Sequence, residues 1–237
     1  MTVQTLDTPA QNTYYPIDHL AILAVSGDDA GTFLQGQLTC NIQALTATQA
    51  SLAAFCNAKG RVISTLLVIK AEQRYLVILP TSLVEKVQKK LQMYVLRSKV
   101  HIARCTELTL TGLACPLPMS LALPERDFHC HPCGPEGLTL KLPSSTPRFL
   151  CLLPLLAKEN AWLQDFAQGN GSDWRFQDIS SGMPWFELEQ SENHIPQTLN
   201  IDQLGGISFN KGCYTGQEIV ARTHYLGKSK RQLYLGE

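Results

Sequence analysis

Short apolar runs, each bounded by turn-forming residues, recur through the first hundred positions of the chain. Runs of this kind are typical of β-strands, and they lie at 20–25, 51–56, 62–70, 75–79 and 99–103. Between the last two runs, apolar residues recur at every third or fourth position from Leu83 to Tyr94. This spacing predicts an amphipathic helix that ends near Arg97.

Two aspartates mark the expected start of another helix, which lies earlier in the sequence. Asp28 and Asp29 follow the first apolar run, and we expect their carboxylates to cap the first turn of that helix. The elements up to residue 104 then follow the order strand, helix, strand, strand, strand, helix, strand. That order favours an α+β fold in which helices cover one face of a mostly antiparallel sheet.

The pattern is less regular in the second half of the chain. The elements predicted there are strands at 107–115 and 137–153, a helix at 154–168 and a short helix at 174–181. Residues 1–15 are polar and predict a loose arm, and the glycine-rich stretch 169–172 predicts a boundary. We therefore expect a first α+β unit at 1–104, a smaller α+β unit at 105–172, and a segment at 173–237 that packs back on the first unit.

Glycines and polar side chains are concentrated around one cysteine near the C-terminal end. Gly212 and Gly216 flank Cys213, and the residues that follow Gly216 predict a helix. A thiolate just ahead of a helix N-terminus is stabilised, and Lys211 and Arg222 could add positive charge, so Cys213 is a candidate reactive thiol. The alternative is a tight turn whose cysteine is a small buried hydrophobe, since free cysteine is among the most buried residue types.

The octapeptide from Lys211 to Glu218, KGCYTGQE, together with the Ala-Arg pair that follows, resembles the signature of a known family. The signature positions around Cys213 are Lys211, Gly212, Tyr214, Gly216, Gln217, Glu218 and Arg222. Other stretches similar to the family lie at 26–39, 56–61 and 96–102. The family is the YgfZ family, folate-binding relatives of the glycine-cleavage aminomethyltransferase, and the resemblance covers most of the chain.

The resemblance implies an α+β GcvT-like folate-binding fold with mostly antiparallel sheets, and tetrahydrofolate or another reduced folate as the cofactor. It also implies that Trp174 contacts the pterin ring of the folate, whereas on residue type alone Trp174 is a core aromatic. Members of the family continue into a further small β-barrel. Because the sequence stops at Glu237, the C-terminal barrel domain is expected to be missing.

By the same resemblance, the expected function is folate-assisted assembly, maintenance or repair of iron–sulfur clusters in client enzymes, including those that modify tRNA. This is an accessory role rather than an enzymatic one, and the expected partners are folate and the client enzymes. Two alternatives stay open: a folate-dependent one-carbon transferase, and a scaffold that binds client proteins without a small ligand. Thermal stabilisation by tetrahydrofolates separates the scaffold from the other two, because a ligand that binds only the folded state stabilises it.

Charge and cysteine usage bear on the remaining classes of function. The 20 Lys and Arg residues balance the 20 Asp and Glu residues, so the net charge gives no reason to expect direct nucleic-acid binding. The N-terminus has no basic residue before Asp7, and no apolar stretch follows the initial Met, so we expect a cytoplasmic protein without a membrane segment. The 8 cysteines then predict reduced thiols rather than a disulfide framework.

Cys130 and Cys133 have the CxxC spacing that binds zinc or forms a redox pair. Zinc requires a second pair of ligands, and the other cysteines lack the paired spacing, so His129 and His131 would have to supply them. We therefore expect a proline-tightened loop with incidental thiols, and no metal site.

Overall fold

The computed structural model describes residues 11–118, 122–134, 137–155, 160–227 and 231–236. The strands within these ranges are β1 Thr13–Pro16, β2 Leu20–Ser26, β3 Ser51–Cys56, β4 Val62–Ala71, β5 Arg74–Pro80, β6 His101–Arg104, β7 Leu108–Ala114, β8 Cys130–Pro132, β9 Leu138–Leu142, β10 Arg148–Pro154 and β11 Ala167–Gln168. The α-helices are α1 Ala30–Gln37, α2 Val84–Val95, α3 Gly171–Ser180 and α4 Gln217–Leu226.

Close backbone contacts divide the chain into two compact units, each of which is discontinuous in sequence. The six-stranded unit contains the described residues of 11–18 and 106–183, and the five-stranded unit contains those of 19–105 and 184–236. The contacts thus group the chain differently from the three consecutive parts set out above. Helix α3 belongs with the six-stranded unit, whereas the loop around Cys213 belongs with the five-stranded unit.

The five-stranded unit is built on an antiparallel sheet with the strand order β3-β4-β5-β2-β6. Helix α2 contributes Val84, Val87 and Leu91 to a core that also contains Phe33 and Leu34 of α1. The three α2 residues recur at three- and four-residue spacing, so this helix presents one apolar face to the sheet. The α+β architecture and the element order predicted for this part of the chain are confirmed, with differences of one or two residues at the element ends.

The expected capping role of Asp28 and Asp29 is wrong. Helix α1 has no side-chain cap. Asp29 Oδ2 instead accepts a hydrogen bond from the backbone N–H of Lys99 at 2.7 Å, and Asp28 Oδ2 lies 3.1 Å from Lys99 Nζ. Gly27 has a φ of +108°, and a Cβ there would lie 2.1 Å from Lys99 O. The two carboxylates therefore tie the start of α1 to the chain ahead of β6.

The six-stranded unit has the strand order β11-β1-β7-β10-β9-β8. Its pairs are antiparallel except for β1 and β11, which pair in parallel with Thr13 opposite Ala167. Helix α3 is capped by Asn170, whose side chain accepts from Ser172 N at 3.1 Å, so this helix begins inside the stretch predicted to be a boundary loop.

Two other predictions for this unit are wrong. Residues 13–15 of the expected loose arm belong to β1, while residues 1–10 lie outside the described residues. The expected helix at 154–168 is replaced by the end of β10, a 3-10 helix at Asn160–Asp165 and the strand β11, and residues 156–159 are not described. Strand β10 continues to Pro154, which pairs with Leu108.

Candidate functional site

The loop around Cys213 is anchored by Lys211. Its ammonium group donates to the carbonyls of Leu38 at 2.6 Å and Cys40 at 2.7 Å, in the segment just after α1. Nζ also lies 5.1 Å from the centroid of the Tyr214 ring. Because the ammonium group is partly removed from water, its pKa is lowered to about 8. Lys211 thus holds the loop to the chain after α1 through backbone acceptors.

Further hydrogen bonds run along the same two segments. Thr215 N donates to Gly36 O at 3.2 Å, and Ser208 N donates to Thr39 O at 2.9 Å. The buried hydroxyl of Thr39 donates to Gly206 O at 2.6 Å and accepts from Ala54 N at 2.8 Å. The signature stretch and the stretch 26–39, which the sequence singled out separately, are therefore neighbours in the folded chain.

A third stretch, 56–61, meets the start of α4. Gly216 has a φ of +83°, and a Cβ there would lie 2.4 Å from Asn57 O and 2.9 Å from Gly60 Cα. Gly60 is also left-handed, and a Cβ on it would lie 2.9 Å from Ile219 Cβ. Both positions require glycine because the backbones approach too closely for a side chain. Asn57 holds the hairpin in shape by accepting from Lys59 N and Arg61 N.

Cys213 is exposed, and the other seven cysteines, all of which the structure describes, are buried. Burial raises the pKa of Cys40 to about 11 and that of Cys56 to about 12. Helix α4 begins at Gln217, four residues beyond Cys213. The exposure contradicts the alternative in which Cys213 is a buried hydrophobe. One thiol of this chain is thus accessible, and it lies in a loop that is fixed on two sides.

The remaining signature residues divide between structural and exposed positions. Tyr214 is buried, and burial raises the pKa of its hydroxyl. Glu218 and Arg222 are exposed on α4, whereas Gln217 is half-buried. A Cβ on Gly212 would meet no atom of the described residues within 4 Å, so packing against them does not explain this glycine. Its lack of a side chain leaves the surface next to Cys213 open.

Trp174 lies in the six-stranded unit and is 0% exposed. A Cβ on Gly112 of β7 would lie 2.5 Å from the Trp174 ring, so the indole fills a slot that only glycine leaves free. The centroid of the Tyr15 ring is 5.6 Å from that of Trp174, and Arg148 Cζ is 4.6 Å from it. The contact between Trp174 and a folate stays a prediction, since protein atoms surround the ring in this structure.

Arg148 is a residue that sequence reasoning missed. It is 0% exposed, and its Nη1 donates to Asp178 Oδ1 at 2.9 Å. Trp174 and Asp178 are four residues apart on α3 and so share the helix face that meets Arg148. An arginine that follows a proline at the start of an apolar run carries no sequence signal for burial. Only the contacts of Arg148 with Asp178 and Trp174 of α3 reveal it.

The CxxC cysteines occupy the edge of the six-stranded sheet. Cys130 and Cys133 are both buried, and Cys133 packs with Cys115 and Cys151 in an apolar cluster. A hydrogen bond with Cys151 lowers the pKa of Cys133. Within the described ranges, no group of three or more His, Cys, Asp or Glu residues could hold a metal ion.

In the same ranges, no helix has the length and hydrophobicity needed to cross a membrane.

Comparison with known sequences supports the resemblance. A family model described as the GCVT N-terminal domain matches residues 11–119. The tRNA-modifying protein YgfZ of Yersinia enterocolitica is 36% identical over 233 residues, which cover 94% of this chain and 70% of that protein. The tRNA-modifying protein YgfZ of Colwellia psychrerythraea is 31% identical over 232 residues, which cover 92% of this chain and 69% of that protein.

Comparison with solved structures supports the fold. The glycine cleavage system aminomethyltransferase T of Bartonella henselae superposes with a TM-score of 0.74 at 16% sequence identity. The match covers 93% of this chain, and the chain spans 65% of the length of that protein. At this identity the likeness concerns the fold alone, and it confirms the GcvT-like fold expected from the sequence. With relatives of this identity along nearly its whole length, the chain belongs to the YgfZ family.

Proposed function

We propose that the protein binds a reduced folate and assists the assembly, maintenance or repair of iron–sulfur clusters in client enzymes, including enzymes that modify tRNA. The observation that carries this proposal is Cys213, the exposed thiol among eight described cysteines, in the loop that holds most of the family signature. Iron–sulfur clusters are held by cysteine thiolates, so an accessible thiolate is the group that such a role requires. In this account Cys213 is a temporary ligand for iron.

The surroundings of Cys213 suit contact with another macromolecule. Lys211 fixes the loop to the carbonyls of Leu38 and Cys40, so the thiol is presented at a defined position. Gly212 leaves open space beside it, and a glycine that internal packing does not require favours close approach by a partner. We infer that a client enzyme approaches the thiol from this side.

The folate part of the proposal is supported by the family and by the donors around Trp174. Arg148 Nε, Arg148 Nη2 and Trp174 Nε1 are buried and have no hydrogen-bond partner within the described part of the chain. Reduced folates carry several hydrogen-bond acceptors and a flat pyrimidine ring, so the residues present fit this class of ligand. When bound, the folate supplies a carrier of one-carbon units, and the residues of this chain bind and orient it.

We further propose that the protein acts in the cytoplasm. None of the eight cysteines, all of which the structure describes, forms a disulfide bond. Reduced thiols in this number are typical of a compartment that keeps them reduced.

Two measurements test the proposed function. Calorimetric titration of the purified protein with tetrahydrofolate, under anaerobic conditions, is expected to show saturable binding to one site. In cells that lack the protein, expression of this chain is expected to restore both the activity of an iron–sulfur enzyme and the thiolation of tRNA. Absence of folate binding together with unchanged iron–sulfur enzyme activity would contradict the proposal. Binding accompanied by turnover of a one-carbon donor would favour a transferase instead.

A further inference from the structure

Glu192 lies at the centre of a small polar network in the five-stranded unit. Its Oε2 accepts a hydrogen bond from Asn57 Nδ2 at 2.6 Å. Its Oε1 lies 2.9 Å from Lys86 Nζ and 3.8 Å from Lys90 Nζ, and both lysines belong to α2. Hydrogen bonds from Lys86 and Asn57 lower the pKa of Glu192, so its side chain stays ionised at neutral pH. One carboxylate thus joins α2 to the hairpin that begins at Asn57.

The backbone of Glu192 has an unfavourable conformation. Its φ angle is +69°, a left-handed value that residues with a side chain seldom adopt. The peptide groups on either side are held by β4, because Glu192 N donates to Val62 O at 2.7 Å and Val62 N donates to His194 O at 2.8 Å. Strained backbone of this kind persists only where the surrounding structure holds it, and it is often found at functional sites.

Partial burial separates this network from an ordinary surface ion pair. The side chain of Glu192 is 31% exposed and that of Lys86 is 34% exposed, whereas the α2 pair of Glu85 and Lys89 is 80% and 72% exposed. Fully exposed pairs contribute little because water and salt screen them. The Glu192 carboxylate is better shielded and also accepts from an amide, so we expect it to hold its partners more firmly.

The hairpin that Glu192 contacts supports the loop around Cys213. A Cβ on Gly216 would lie 2.4 Å from Asn57 O and 2.9 Å from Gly60 Cα, so the backbone of the hairpin touches the residue just before α4. Cys213 precedes Gly216 by three residues. A displacement of the hairpin would therefore displace the start of α4 and the end of the loop that carries the thiol.

We propose that Glu192 is a positioning residue for Cys213: through Asn57 it holds the hairpin against Gly216 and so fixes the place at which the thiol is presented. In this account Glu192 acts through the hairpin and not on the sulfur atom. The inference rests on the proposed function of Cys213 and adds a residue on which that function depends.

Exchanging the amide and the carboxylate tests the contact. In Asn57→Asp, two carboxylates face each other across the 2.6 Å contact, while Oδ1 can still accept from Lys59 N and Arg61 N and so keep the turn. In Glu192→Gln, the amide nitrogen faces another donor, either Asn57 Nδ2 or Lys86 Nζ, so one contact is lost. The double variant restores both contacts, because the new amide donates to the new carboxylate and its oxygen accepts from Lys86.

Hydrogen exchange of the purified protein, followed by mass spectrometry, measures how firmly the loop is held. The reporting groups are the backbone amides of Thr215, Gln217 and Val220, each of which donates to a backbone carbonyl. Because a hydrogen bond to a charged group is lost, these amides are expected to exchange about tenfold faster in each single variant. The double variant should return toward the wild-type rate. Glu85→Gln, which removes an exposed ion pair on α2, is the matched control and should leave the rate unchanged.

The amides of β5, which pairs with β4 and β2, distinguish positioning from a general effect on stability. In the wild type we expect the loop amides to exchange faster than those of β5, because the loop opens locally. If Glu192 only stabilised the unit as a whole, the loop would open as in the wild type and only the β5 amides would exchange faster in the single variants. That pattern would overturn the proposal, and so would a double variant that is no better than the single ones.

Complementation of cells that lack the protein gives the functional part of the test. At equal levels of soluble protein, each single variant is expected to restore less activity of an iron–sulfur enzyme than the wild type, and the double variant is expected to recover it. Full restoration by the single variants would overturn the role of Glu192. Exchange is measured without folate or a client enzyme, so restoration by Cys213→Ser would contradict the proposed function and leave the exchange result standing.

Discussion

The backbones of Gly60 and Gly216 are in direct contact, since a Cβ on Gly216 would lie 2.9 Å from Gly60 Cα. Gly60 belongs to the stretch 56–61 and Gly216 to the signature around Cys213, so this contact joins two motifs that are far apart in sequence. Both glycines have positive φ angles, of +66° and +83°. The contact fixes the start of α4, and with it the end of the loop that presents Cys213.

Replacing Gly216 by alanine should therefore destabilise the five-stranded unit. A left-handed φ and a Cβ only 2.4 Å from Asn57 O add strain, which we expect to lower the free energy of unfolding by about 2 kcal/mol or more. Gly212→Ala is the matched control, because a Cβ there meets no atom of the described residues within 4 Å, and its effect should stay within about 0.5 kcal/mol. Urea denaturation of both variants measures the difference. Equal stabilities would contradict the assigned contact.

The sequence predicts the five-stranded unit well because its elements are local. Strand β3 has the predicted bounds of Ser51–Cys56, since a hairpin turn ends it and its pairing with β4 involves neighbouring segments. The parallel pairing of β1 with β11 joins segments about 150 residues apart, so it leaves no local pattern in the sequence. For this reason the residues of β1 were predicted to belong to a loose arm. The predicted capping role of Asp28 and Asp29 was wrong for a related reason, because their partner Lys99 is distant in sequence.

In the loop around Cys213, the sequence indicates some of the observed features and not others. The exposed position of Cys213 agrees with what its glycine flanks suggest. The contacts of Lys211 were not predictable, because a lysine next to a cysteine suggests a charge effect on the thiol, whereas its ammonium group is held by two backbone carbonyls. The sequence gives no sign that Arg148 is buried, because its burial depends on the position of Asp178 in the folded chain.

Lys211 should affect stability in a pH-dependent manner. In Lys211→Met the carbonyls of Leu38 and Cys40 lose their donor, and we expect a loss of about 1–3 kcal/mol at neutral pH. Burial lowers the pKa of Lys211 from 10.5 to about 8 in the folded protein. Between these two values the unfolded chain binds more protons at this residue, so the contribution of Lys211 to the free energy of unfolding increases as pH rises.

The measurement is the difference in unfolding free energy between wild type and Lys211→Met from pH 7 to pH 10.5. Taking the difference removes the other groups that titrate in this range. The wild type is expected to gain stability relative to the variant above about pH 8. A difference that shrinks as pH rises would show that the folded protein favours the charged form of Lys211, contrary to this account.

Trp174 should contribute to the stability of the six-stranded unit whether or not it contacts folate. Removing a fully buried indole in Trp174→Ala is expected to lower the free energy of unfolding by about 3–5 kcal/mol. Trp174→Phe keeps an aromatic ring above Gly112, leaves a smaller cavity and is the better variant for titration with tetrahydrofolate. If Trp174→Phe folds normally and binds tetrahydrofolate as tightly as the wild type, the indole has no part in the folate site.

The accessibility of the thiols predicts their order of alkylation. Cys213 should react with iodoacetamide at neutral pH well before the other seven cysteines, because it is exposed and they are buried. Among the buried cysteines, Cys133 is the strictest comparison with Cys213. A hydrogen bond from Cys151 lowers the pKa of Cys133, which favours the reactive thiolate, although its side chain is buried. Peptide mass spectrometry over a time course gives the order. Modification of Cys133 ahead of Cys213 would show that the buried cluster opens readily.

The central claim is that the function of the protein depends on the thiol of Cys213. Complementation of cells that lack the protein tests it most directly, with the wild type, Cys213→Ser and the control Asn210→Ala, an exposed position in the same loop. Folded protein levels are checked by immunoblotting of the soluble fraction, and activity of an iron–sulfur enzyme is the readout. We expect the wild type and Asn210→Ala to restore activity and Cys213→Ser to leave it at the level of the deletion. Full restoration by Cys213→Ser would contradict the account and would mean that the signature loop is architectural.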